Sequence, residues 1–270
     1  EYLNIKEVDT FHIGFVIWPR INAWWRIDSP YSSLDMLLYT WEKQIAAIDK
    51  IDEINTNRKK LQESALKFAE ENVDITQKII IAESEDFHEG IVGIVSGRLT
   101  ERYNRPSVVF KIDKEKGTAV ASLRGPEYFD IIEMIQTNSE LLERSWWHKR
   151  AAWLSIKLEN LDRFKAIIQE YCNTKISDDD LEKVIYIDTQ IYENERSDQL
   201  IQKIANLGPF GEGNNEPTFL FEKVSITKVD KVWKRWKGHL KLQWKFGDGK
   251  VNFLFWSKWD MVESIEKGSQ

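Results

Sequence analysis

What this chain lacks narrows its class before any motif is read. It has one cysteine, Cys172, so no disulfide can form within it, and a lone thiol fits a reducing, cytoplasmic setting. Six prolines and 13 glycines in 270 residues exclude a collagen-like or low-complexity chain. Glycine is in fact scarce, at about 5% where roughly 7% is usual. No apolar run approaches the roughly 18 residues that would suggest a membrane span, and the opening residues carry no signal-peptide pattern. Because the chain opens on Glu1 rather than Met, a fragment is expected. No histidine lies near another, and Asp178-Asp179-Asp180 has no histidine beside it, so no metal-ligand set is expected. A P-loop and a nucleophile elbow are also missing. A formal net charge of −6 argues against a wholly basic nucleic-acid binder but leaves room for a local basic groove.

What is present reads as globular, with 42% hydrophobic and 30% charged residues and enough length for about two domains. Ser29-Pro30 offers a cap and a first-turn proline to a long amphipathic helix over 31–73. At some 40 residues it would act as a strut between lobes, with a kink expected near Asn55-Thr56-Asn57. From Lys78 onward strands and helices alternate. Strands are expected at 79–81, 107–112 and 118–123 and from Ala151. Helices are expected over 90–103, 128–144 and 161–171. That alternation makes an α/β unit of about 95 residues. The polar stretch 173–180 reads as a linker. Beyond it a strand at 184–187, a helix at 199–207 and strands at 218–221, 239–246 and 251–255 suggest a small barrel, with Gly247-Asp248-Gly249 as a hairpin.

Four segments carry candidate chemistry. They are Pro19 to Arg26, read as a loop before the long helix; the strand-to-helix turn His88 to Ile94; Ala121 to Gly125 at a strand end; and Trp146 to Arg150, also read as a loop. Taken singly each has a structural reading: an arginine is usually ion-paired or solvated, and Ser122 could simply satisfy a strand edge. His12 and His239 are assigned structural roles. Together, however, Arg, Ser, Asn and His all donate to phosphate oxygens, and backbone N–H groups at a helix start can receive an anion. Near the C-terminus Lys228, Lys231, Lys234, Arg235, Lys237, Lys241 and Lys245 crowd one hairpin against Asp230 alone. Such a strip suits the backbone of single-stranded DNA as well as it suits a solvated hairpin.

In this order, the segments resemble the C-terminal part of the RecJ family, single-strand-specific 5′→3′ DNA exonucleases of the DHH phosphoesterase superfamily. Trp18 to Arg26 is similar to the family pattern GPRINAxGR, and Phe87 to Leu99 to WHxGVxGIVAxRL. Ala121 to Gly125 resembles GSxRS, Trp146 to Trp153 resembles GGHxxAAG, and Leu207 to Pro217 resembles LxPFGxGNxxP. The resemblance implies an α/β fold class with three parts. Residues 1–75 would be the boundary of the catalytic lobe plus a long connecting helix. Residues 76–172 would be the DHH-associated domain, and 180–270 a small OB-fold β-barrel. The DHH domain, which would hold Mn2+ or Mg2+ in the full-length enzyme, has no counterpart here, so this part is expected to be inactive alone.

By the same resemblance Arg124 and Ser122 grip a 5′-terminal phosphate and His148 contacts the scissile region. Arg20, Asn22, Arg26 and His88 would be further substrate contacts. From the basic strip itself, apart from the resemblance, Lys234, Arg235, Lys237 and Lys241 are the candidate nucleic-acid contacts. Implied partners are single-stranded DNA with a 5′ end and a single-strand-binding protein, with no membrane and a monomeric state. Two other readings stay open. One is a DHH-type phosphodiesterase for short RNA or cyclic dinucleotides; the other is a non-catalytic single-strand-binding module. Gly125 replaces the pattern's second serine.

The glycine shortage meets a tryptophan excess, with 12 Trp in the chain. Trp18, Trp25, Trp146, Trp147 and Trp153 stand where the pattern has glycine, and Trp256 and Trp259 have a glycine-like spacing. Base-stacking platforms are one reading. Glycine suits a phosphate loop better, because it admits positive φ and close backbone approach. The expectation is therefore that most of these codons are UGA read as glycine.

Overall fold

The computed structural model of the chain describes residues 7–27, 38–40, 42–192, 195, 197–222, 224–234, 237–246, 249–256, 258, 261–262 and 265, with backbone alone at 24–27, 234, 237 and 246. It divides into two units, Glu1–Lys183 and Val184–Gln270. Among the described residues no helix is long and apolar enough to cross a membrane.

In the first unit, runs rich in apolar and β-branched residues build one mixed sheet. Its strands are β1 (Ile80–Ser84), β2 (Ser107–Asp113), β3 (Thr118–Arg124), β4 (Leu142–His148) and β5 (Ala151–Lys157), in the order β1-β2-β3-β5-β4. Three helices come before the β3 end of the sheet: α1 (Trp18–Ile27), α2 (Glu42–Asn72) and α3 (Glu89–Tyr103). Two more, α4 (Ile131–Gln136) and α5 (Leu158–Lys175), follow β3 and β5. β1 and β2 run parallel, with α3 as their crossover, and every other pair is antiparallel.

Side-chain alternation gives the sheet two coats. Val108, Phe110, Ala121, Leu123, Leu154 and Ile156 face α4 and α5, whose Leu161, Phe164, Ile168 and Cys172 recur at helical spacing. Phe110 and Phe164 meet edge to face at 6.5 Å, and burying each is worth roughly 1.5–3 kcal/mol. Ile80, Ala82 and Val109 face the other way, toward Ile91, Val92, Val95 and Leu99 of α3 and Ala65 and Ala69 of α2. Alternation along β3 therefore turns Ser122 and Arg124 toward α3. Buried hydroxyls fasten that helix down. Ser96 Oγ bonds Ser107 Oγ at 2.9 Å, and Thr100 Oγ1 reaches Ser107 Oγ at 2.8 Å and the Arg124 carbonyl at 3.2 Å.

Several expectations change. The 19–26 segment is helix α1 rather than loop, continuous with a π-helical turn at His12–Ile17, and its proline sits where the two meet. α2 runs unbroken through 55–57, because Asn55 turns inward and accepts from Arg58 instead of opening the helix. The Ser29-Pro30 cap lies outside the described residues. The expected helix over 128–144 is only α4, a 3-10 turn at Ser139–Leu141 and then β4. Asn138 closes α4 by bonding the Met134 carbonyl, which frees 142–148 to pair with β5. Thus Trp146, Trp147 and His148 belong to an edge strand, not a loop. The 173–180 stretch is partly ordered as well, with α5 running to Lys175 and Lys78 pairing with Asp178 at 3.0 Å.

The second unit contains α6 (Asp198–Ala205), capped by Ser197, and a two-stranded parallel pair, β6 (Thr189–Gln190) with β7 (Phe219–Leu220). Three antiparallel strands follow: β8 (Ile226–Lys234), β9 (Lys237–Phe246) and β10 (Gly249–Phe255), with β9 central. The 184–187 strand is not formed, and β6 begins at Thr189. Among the described residues the strands do not close into a barrel. Pro209, Pro217 and three glycines between 208 and 213 cannot supply a continuous ladder there.

Candidate functional site

Two rows of register partners cross the α3 face of the sheet. One runs Val109, Ser122, Trp153, Trp146; the next runs Ser107, Arg124, Ala151, His148. Where these rows meet the start of α3 they line a cleft of about 480 Å³. Its walls include His88, Glu89, Gly93, Ser122, Arg124, Trp146 and Trp153. Segments 65 residues apart in sequence thus converge, and His88, Ser122 and Arg124 line one cleft.

Arg124 is the cation at the floor of this cleft. Its Nη1 donates to Ser122 Oγ at 2.9 Å and to the Leu123 carbonyl at 2.7 Å. Among the described residues its Nη2 and Nε make no hydrogen bond. Burial lowers its pKa from the ordinary arginine value, and no carboxylate among the described residues acts on it. A half-buried guanidinium without a counter-ion is costly unless an anion completes it. Planar donors in a fixed fork suit a phosphate oxygen pair.

Ser122 has a different task from the one expected. It is 5% exposed, its oxygen accepts from Arg124, and its proton goes to the Ala152 carbonyl at 3.3 Å. It orients the arginine and has no proton left for a ligand. The helix start is likewise occupied. The N–H of Gly90 donates to His88 Nδ1 at 3.0 Å and that of Ile91 to the His88 carbonyl at 3.0 Å. With Nδ1 accepting, the neutral ring carries its proton on Nε2 and remains a donor toward the cleft. Glu89 adds a carboxylate to the first helical turn, so the anion-attracting group is Arg124 rather than the helix terminus.

His148 shares the register row of Arg124 but lies two strands across, exposed at the end of the edge strand, its ring 4.4 Å from that of Trp146. Trp146 itself is 59% exposed. Arg20 is engaged elsewhere, paired with Asp52 of α2 at 2.5 Å and bonded to the Val16 carbonyl. Asn22 is half-buried on the same helix. The side chain of Arg26 lies outside the described residues. Sequence reasoning marks the segment His88 to Ile94 but singles out neither Glu89 nor Gly93 within it. Glu89 has no distinguishing pattern. Gly93 left a clue, since a glycine inside a helix needs a reason.

In the second unit Lys228, Lys241 and Lys245 share one face by register, and Lys250 joins them opposite Lys245. Asp230 lies on that face, across from Lys241, and pairs with Lys228 at 2.8 Å. Lys231 falls on the other face, opposite Leu240, so it leaves the expected strip. Lys234 and Lys237 pair at the hairpin end. Their side chains, and all of Arg235, lie outside the described residues.

The described residues contain no group of three or more His, Cys, Asp or Glu able to hold a metal ion. These side chains do not fit a resident metal, so no metal-dependent step is derived from them.

Known proteins match along the same divisions. The DHHA1 domain family matches residues 76–174 and the RecJ OB domain family residues 187–270. The single-stranded-DNA-specific exonuclease RecJ of Bacillus subtilis is 26% identical over 99% of this chain and 34% of its own length. Two crystal structures of RecJ from Thermus thermophilus, in complex with Mn2+ and with Mg2+, superimpose with TM-scores of 0.76 and 0.75 at 25% identity. They cover 91% and 92% of this chain but only 36% and 38% of theirs. The chain thus spans about a third of the length of these relatives. Its residues 76–174 are thus similar to a DHHA1 domain and its residues 187–270 to a RecJ OB domain.

Proposed function

We propose that this chain is the C-terminal, substrate-gripping part of a RecJ-like exonuclease that degrades single-stranded DNA from its 5′ end in DNA repair and recombination. The observation that carries this reading is Arg124, a half-buried guanidinium lining a cleft, with two nitrogens unengaged and no carboxylate acting on it among the described residues. In this reading Arg124 holds the 5′-terminal phosphate, His88 Nε2 adds a second donor, and His148 contacts the strand near the scissile bond. The lysine face of β8–β10 tracks the phosphate backbone, which makes binding salt-dependent. Residues 1–75 join the catalytic lobe to this part, 76–172 grip the end of the strand and 180–270 hold its length. Hydrolysis needs a metal-bearing domain, with Mn2+ or Mg2+ bound elsewhere in the complete enzyme, so this chain alone has no nuclease activity. We place it in the cytoplasm as a monomer, working with a single-strand-binding protein. A following OB domain favours polynucleotide over a cyclic dinucleotide or short RNA.

The test is Arg124→Ala. Binding of this chain to matched 5′-phosphorylated and 5′-hydroxyl oligothymidylates is measured by fluorescence anisotropy. The unaltered chain should prefer the phosphorylated strand about tenfold, the worth of one charge-assisted bond, and the variant should lose that preference. An unchanged preference removes Arg124 from the phosphate site.

A further inference from the structure

Alanine would suit the interior of α3 better than the glycine found at position 93. The reason lies across the helix–sheet gap. A Cβ at position 93 would stand 3.1 Å from Ser122 Oγ and 3.2 Å from Arg124 Nη2, tighter than ordinary carbon contacts. Neither atom is free to step aside. Ser122 Oγ is held between Arg124 Nη1 and the Ala152 carbonyl, and Nη1 is also tied to the Leu123 carbonyl. Nor can the helix lift away, because Ser96 and Thr100 bond it to Ser107 and to the Arg124 carbonyl. One turn later the squeeze is over: a Cβ at Gly97 would lie 4.0 Å from Arg124 Cγ, an ordinary contact.

We propose that Gly93 and Ser122 are positioning residues that aim the Arg124 guanidinium, and that through it they set the preference for a terminal phosphate. The proposal rests on the reading of Arg124 as the phosphate-gripping group. Ser122 holds Nη1 from below, and the missing side chain of Gly93 leaves the space that Nη2 borders. A guanidinium recognises phosphate through a planar fork, so a tilt or shift of a few tenths of an ångström costs one of two parallel bonds.

The same pair of oligothymidylates tests this in the 270-residue chain, with the ratio of the two Kd values as the readout. A loss of fold weakens both strands together, so the ratio isolates the terminal phosphate. Gly93→Ala and Ser122→Ala should each bring a preference of about tenfold down to about threefold or less. Ser122→Ala only removes atoms, so it keeps the test open if Gly93→Ala folds poorly. Gly97→Ala should leave the ratio unchanged. The proposal is overturned if both Gly93→Ala and Ser122→Ala keep the full ratio while Arg124→Ala abolishes it. If the unaltered chain shows no preference, the reading of Arg124 fails first and the positioning role falls with it.

Discussion

Replacing Gly125 with serine, the residue found at this place in the family pattern, tests how tightly the end of β3 is packed. A Cβ on Gly125 would lie 2.9 Å from the Phe129 carbonyl oxygen and 3.1 Å from Ile131 Cγ2. Both neighbours are fixed. Ile131 is fully buried, Phe129 is 4% exposed, and the Phe129 N–H bonds the Pro126 carbonyl at 3.1 Å. Relief must come from the strand end itself, whose Gly125 N–H donates to the Arg150 carbonyl at 3.0 Å. Overpacking of this kind typically costs 1–3 kcal/mol. Taking about 2 kcal/mol, with roughly 2–4 °C per kcal/mol for a chain of this size, the Tm should fall by about 4–8 °C. Thermal unfolding followed by circular dichroism measures it. Because Arg124 is the preceding residue, the 5′-phosphate ratio should fall as well. A variant with an unchanged Tm and an unchanged ratio would refute the packing reasoning, and with it the account of why glycine occupies this position.

Four further outcomes follow from the sequence and the structure. Reading the codons at Trp146, Trp147 and Trp153 decides whether they are recoded glycines. UGA is expected, with peptide mass spectrometry of the protein from its natural source showing glycine at these positions, and UGG at Trp146 and Trp147 would end the idea. If they are glycines, Trp146→Gly and Trp153→Gly in the recombinant chain should strengthen binding of the phosphorylated strand, because an indole of roughly 150–250 Å² leaves the cleft. Unchanged or weaker binding would instead assign those rings to stacking. Cys172 is buried, and burial pushes its thiol up to about 12, so a thiol reagent at pH 8 should modify it only in denaturant. Ionisation of this thiol in the unfolded chain begins near pH 8.5, so stability from Cys172 is present below that and is lost as pH rises toward 12.

Much of the first unit could be read directly from local pattern. Pro106 and Gly117 bracket a strongly β-branched run, and the periodic Leu161, Phe164, Ile168 and Cys172 announce α5, so these elements fall where spacing puts them. The edge strand β4 could not be read that way. Its residues Glu143, Arg144 and Ser145 have no alternating apolar face, and only pairing with β5 makes 142–148 extended. The 184–187 run failed in the opposite sense: four apolar residues that look like a strand find no ladder, and Tyr186 remains 78% exposed.

By itself, then, the sequence determined the chemistry on offer: no disulfide, no metal-ligand set in the spacing, a basic hairpin, and an ordered series of phosphate-compatible segments. It also determined the order of most strands and helices, because propensity and periodicity are local. Tertiary structure decided which of those groups serve a ligand and which serve one another. Arg20 pairs with Asp52, 32 residues away; Ser122 commits its hydroxyl to Arg124 and Ala152; and His88 caps α3 with Nδ1, which is then closed to a ligand. Among the described residues Arg124 keeps two nitrogens unengaged in the cleft for a reason no local pattern contains. Hydrogen-bond satisfaction is settled between strands and helices, by register and by how closely a glycine lets them approach.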